Sequence, residues 1–68
     1  MYFDIKKMRK ELAFLDEKIA EGEFLKFMGS KISEPSQKTK NKLKEIDEVL
    51  AELRVKRDAL RSFLTLLN

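Results

Sequence analysis

The sequence predicts an all-α chain: an antiparallel two-helix hairpin of coiled-coil type that dimerises into a four-helix bundle. Three observations point there. Residues 5–26 and 39–60 each carry mainly apolar side chains at an unbroken spacing of three and four, which sets them on one helix face turned toward another helix. Between the two series lies a single stretch of turn chemistry, residues 29–36, with Gly29, Ser30, Ser33, Pro35 and Ser36. A second set of apolar residues, including Phe14, Phe24, Leu25, Phe27, Val49 and Val55, lies off both series, and a lone hairpin leaves such a set uncovered.

The first helix is expected over residues 5–28. Asp4 suits its N-cap, because the carboxylate accepts from backbone amides one turn ahead and meets the positive end of the helix dipole. Phe3 and Met8 stand at the positions of a hydrophobic staple. Gly29 is expected to close the helix in the left-handed conformation, and the bend then occupies residues 29–36. Pro35 is tolerated in a first helical turn, where its missing amide is no loss, and Ser33 or Ser36 can cap the second helix. That helix is expected over residues 36–66, making residues 1–68 one hairpin domain.

Folding the two series about the centre of the bend pairs positions whose numbers sum to 65. The pairs are Lys26 with Thr39, Gly22 with Leu43, Ile19 with Ile46, Leu15 with Leu50, Leu12 with Leu53, Met8 with Arg57 and Ile5 with Leu60. Gly22 costs roughly 1 kcal/mol against alanine inside a helix, and it reads as a place where the two backbones approach. Arg57 is the charged residue set deep in the second helix's series, where it specifies register if Glu11 or another carboxylate reaches it.

Composition narrows the chemistry. A chain of 68 residues buries a small fraction of its surface, so a lone hairpin is marginal and self-association is the expected remedy. The chain has no Cys and no His, which removes disulfides, the thiol nucleophile, the usual general base near neutral pH and the common transition-metal ligands together. No catalytic residue, cofactor or metal site is therefore expected. No apolar run approaches the ~18 residues of a membrane span, and the first residues lack a secretory pattern, so a cytoplasmic protein is expected. The initiating Met and the cap at Asp4 favour a free-standing protein over a module of a longer chain.

Charge is uneven along the chain. Residues 1–28 balance six basic against six acidic groups, whereas residues 29–44 hold five basic and one acidic. An acidic waist follows from Asp16, Glu17, Glu21, Glu23, Glu45, Asp47, Glu48 and Glu52.

Three surfaces are candidates for function. Phe24, Phe27, Met28 and Ile32 form an aromatic and Met cluster at the bend, read either as an end-plug of the bundle or as a protein-docking patch. Phe14, Ala51, Val55, Ala59 and Phe63 are expected at the dimer interface, the small residues at four-residue spacing making a shallow ridge for helix packing. Lys31, Lys38, Lys40, Lys42 and Lys44 supply the alternative, a nucleic-acid-binding helical dimer that contacts phosphates. The leading expectation is a small non-enzymatic regulator, adaptor or inhibitor that binds another protein as a homodimer.

In general form the chain resembles other short helical hairpins. Phe27-Met28-Gly29 at the bend is similar to the Trp-x-Gly turn of the WXG secreted proteins, and the helix from Leu43 to Leu64 looks like the dimerisation coil of MerR-type regulators. These likenesses are of periodicity, and they imply a hairpin and no particular activity.

Overall fold

The computed structural model describes residues 4–67. It contains two helices packed against each other, α1 over Ile5–Ser30 and α2 over Gln37–Leu67, and no strand among the described residues. Asp4 is the N-cap of α1, its Oδ1 accepting from the Lys7 amide at 3.0 Å. The staple partner Phe3 lies outside the described residues.

The first helix runs two residues past its expected end, and it does not stop by the expected means. No glycine among the described residues has positive φ, so Gly29 stays helical. The chain instead tightens: the Lys31 amide donates to the Met28 carbonyl, the Ile32 amide to the Gly29 carbonyl, each at 3.2 Å, and Ser30 Oγ donates to the Phe27 carbonyl at 2.6 Å. Such short-range bonds occupy carbonyls that a helix end leaves without partners. Pro35 precedes the second helix rather than sitting in its first turn, and it bars the residue before it from helical backbone. Ser36, not Ser33, is the cap: its Oγ accepts from the Thr39 amide at 3.2 Å and its carbonyl from the Lys40 amide at 3.0 Å.

The seam residues are those the spacing marks, with Leu64 four residues past Leu60 continuing the second series. Leu15, Ile19, Leu50 and Leu64 are buried, and Ile5, Met8, Leu12, Gly22, Leu43, Ile46, Leu53, Arg57 and Leu60 are half-buried. Lys26 alone of the first series is exposed.

The register differs from expectation by one heptad. Gly22 faces the side chain of Leu50, not Leu43, and Leu43 lies against Gly29. Both pairs sum to 72. An α2 residue therefore lies level with the α1 residue whose number completes 72, which moves Arg57 from Met8 to the level of Leu15. A seven-residue slide leaves every seam position facing inward, so the hydrophobic pattern accepts either register. Three features favour the one adopted. It seats Leu43 and Leu50 against the two glycines, brings Leu64 into the core level with Met8, and extends the overlap to Ile5 and Leu67. The bend accommodates the shift because residues 31–36 reach up to ~20 Å when extended, more than the step from the end of α1 to the overhanging start of α2.

Arg57 remains half-buried, but its Nε donates to the neighbouring Asp58 at 3.1 Å rather than to Glu11. A charged seam residue satisfied only from its own helix costs stability that an apolar one would not. Replacing Arg57 with leucine should raise the melting temperature by about 4–8 °C, the equivalent of about 1 kcal/mol in a domain this small. A thermal melt followed by circular dichroism checks this, and an unchanged or lowered midpoint would show that the guanidinium supports the seam.

Candidate functional site

The two flanks of the hairpin are unlike. One is closed by ion pairs that cross between the helices: Lys26 with Asp47 at 2.6 Å, Glu23 with Arg54 at 3.3 Å and Asp16 with Arg61 at 3.6 Å. In two of them the acidic waist of α1 meets the basic half of α2, and in the third Lys26 of α1 meets the acidic waist of α2. Each of these pairs is about half exposed and individually contributes little to stability. Their joint effect is to cover that flank with charge.

The opposite flank carries an apolar groove of about 570 Å³ between α1 and α2. Phe14, Gly22 and Leu25 line it from α1, Ile46, Val49, Leu50 and Leu53 from α2, and Lys18, Glu21, Lys42 and Glu45 stand at its rim. Phe14, Leu25 and Val49 are each more than half exposed there. The rim charges pair within their own helices, Lys18 with Glu21 and Lys42 with Glu45, and the Lys18 ammonium lies 5.4 Å from the Phe14 ring centroid.

Within the hairpin the bend cluster is exposed. Phe24, Phe27, Met28 and Ile32 are 62%, 56%, 51% and 47% exposed. Within the hairpin they do not pack over the start of α2, because α2 overhangs α1 on the seam side, whereas Phe24, Phe27 and Met28, spaced by three and four, share the outward face of the last turns of α1. Lys31 holds its ammonium 4.7 Å from the Phe27 ring centroid, a contact that a partner's side chain can replace. Leu25, one turn before Met28, joins this surface to the groove.

The expected dimer residues do not form one face. Phe14 lies in the groove. Ala51 and Val55 border a shallower dimple with Glu52 and Lys56, and Ala59 continues that stripe one turn on. Phe63 is half-buried toward the open end. The lysines divide as well. Lys42 lines the groove flank with Lys38 one turn before it, whereas Lys40 and Lys44 precede Asp47 on the ion-paired flank. Lys31 stays at the bend with Phe27.

Reading the sequence for the seam passes over Lys18, Glu21, Leu25 and Val49 as parts of one site. Their signal is present in the spacing of Phe14, Lys18, Glu21 and Leu25, a second heptad stripe beside the first. Among the described residues no group of His, Cys, Asp and Glu side chains is arranged to hold a metal ion, and no helix is long and apolar enough to cross a membrane. No protein-family model matches the chain, and no curated protein or solved structure shows significant similarity to it.

Proposed function

We propose that this chain is a small cytoplasmic adaptor or inhibitor, working by protein–protein contact as a homodimer of helical hairpins. The observation that carries the reading is the exposed bend surface of Phe24, Phe27, Met28 and Ile32. Two aromatic rings and a Met on the last turns of α1, with Ile32 just past its end, each more than two-fifths exposed, make an unusual surface in water. They also supply the large, low-entropy contact area on which binding energy concentrates. The groove adjoins this surface through Leu25, and it serves self-association. A chain without His or Cys and with a shallow open groove acts by occupying a surface rather than by chemistry.

Nucleic acid is the alternative target, and the division of the lysines between two flanks weighs against it. Phosphate contacts need several cations in register. Here Lys42 is paired with Glu45 and Lys31 with an aromatic ring.

The experiment is affinity capture with the tagged chain from a lysate of its source, with and without nuclease, beside the Phe27→Ala variant. A discrete protein that survives nuclease and falls at least about tenfold on Phe27→Ala is expected, because central aromatics cost about 2 kcal/mol or more when truncated. Phe27 lies outside the seam, so the variant should keep the helical signal of the parent. Capture that disappears with nuclease and ignores Phe27→Ala would transfer the assignment to nucleic acid.

A further inference from the structure

One stripe of the groove is self-complementary in charge and size. Phe14, Lys18, Glu21 and Leu25 of α1 line it together, and their order is palindromic: apolar, basic, acidic, apolar at spacings of four, three and four. Set two α1 helices antiparallel about a point between Ile19 and Ala20. Each Phe14 then meets the second copy's Leu25, and each Lys18 meets the second copy's Glu21. We infer that the groove is a two-fold dimer interface in which α1 of one copy runs antiparallel to α1 of the other about this point, carrying the two bends to opposite ends of a four-helix bundle. The inference rests on the homodimer in the proposed function and specifies its geometry.

Charge, overlap and area all favour this geometry. The first is charge: the crossing creates two Lys18–Glu21 contacts between copies, and the same residues already pair within the helix at 3.4 Å, so each carboxylate becomes a bridging acceptor. The parallel alternative, with both bends at one end, sets Glu21 level with the second copy's Glu52 and Leu25 between its Glu45 and Val49. The second is overlap. In the observed register the helices extend from the level of Ile5 to that of Gln37, and the palindrome centre falls within one residue of the midpoint, so the two hairpins cover each other from end to end. The third is area: the hairpin measures 52 × 15 × 14 Å, and one long face is close to the ~800 Å² per partner of a standard interface. On the α2 side the same axis brings Val49 to the second copy's Lys56 and Lys42 to its Phe63. Glu52 comes nearest its own image, at the rim, where solvent screens the repulsion.

The consequence is bivalence. Phe24, Phe27 and Ile32 of the two bends stay uncovered near opposite ends, roughly 25 Å apart along the bundle axis at a rise of 1.5 Å per residue, while Met28 continues the interface stripe seven residues past Glu21, so one dimer can hold two target sites.

Sedimentation equilibrium with a spin-label distance measurement tests this on the intact chain. The wild type should sediment as a dimer at roughly 100 μM. Nitroxides on Ser30→Cys should lie about 30 Å apart along the axis, from the 21-residue difference in level, whereas the parallel bundle holds them under about 20 Å, the diagonal of helices spaced by 8–10 Å plus the label tethers. Lys18→Glu turns two attractive contacts per dimer into repulsive ones and should weaken dimerisation at least about tenfold, and adding Glu21→Lys should restore it to within about threefold. A monomer, a short label distance, or a Lys18→Glu variant that dimerises like the parent would each overturn the inference. Lys18 and Glu21 are exposed, so loss of the dimer is separable from loss of the fold by helical signal. Target capture at the bend can fail without altering any of these readings.

Discussion

Leu50→Ala should cost about 3 kcal/mol, between about a third and nearly all of the hairpin's stability. Leu50 is 1% exposed, the most buried side chain described, and its methyl groups lie over Gly22. Truncating a buried leucine loses its transfer free energy and the contacts around the space left behind, 2–5 kcal/mol in general. A chain of 68 residues holds a total stability on the order of 3–10 kcal/mol, so the loss is a large share of the whole. Urea and thermal melts by circular dichroism should show a midpoint about 15 °C or more below that of the parent. Leu66→Ala is the control: at 83% exposure it should stay within about 0.5 kcal/mol. A Leu50→Ala protein that melts within a few degrees of the parent would remove Leu50 from the centre of the core.

The second large effect is diagnostic through its sign. Replacing Gly22 and Gly29 together with alanine should destabilise the protein by about 2 kcal/mol, although the same change in an unconstrained helix gains roughly 1 kcal/mol per site. A Cβ on Gly22 would stand 2.6 Å from Leu50 Cδ2 and 3.1 Å from its Cγ, and one on Gly29 would run into the Leu43 side chain. Overpacking of this kind costs about 1–3 kcal/mol at each position, and the two sites are far enough apart to add. Under the register that sums to 65, Gly29 would face Ser36 at the far end of the bend, and alanine there would only relieve the helix. Denaturant melts of the two single variants and the pair measure the sign, and stabilisation by Gly29→Ala would reinstate the unshifted register.

Some of this molecule is legible one residue at a time. Asp4, Ser36 and Pro35 mark helix ends because their local chemistry acts within one turn of chain. The seam is legible because inward-facing positions recur at the helical repeat, and this is why Leu15, Ile19, Leu50 and Leu64 are recognisable as core from spacing alone. Gly29 misleads because glycine is favoured at a left-handed helix end and equally where a neighbouring side chain needs room. Here the second use holds, and only the position of Leu43 distinguishes them. The site is harder to read than the seam because Lys18 and Glu21 look like ordinary surface charges. Their company with Phe14, Leu25 and Val49 depends on where α2 lies.

The sequence by itself determined two amphipathic helices, their boundaries to within two residues, the turn between them and the face each buries, since all of these follow from backbone capping and a repeat that every residue of a helix shares. Only the tertiary structure decided the heptad register, because sliding by seven residues leaves the hydrophobic pattern unchanged. The choice rests on contacts between residues far apart in the chain: two leucines that fit against two glycines, and charges that meet across the helices. From that choice follow the sealed flank, the open groove and the outward bend surface on which the proposed function stands.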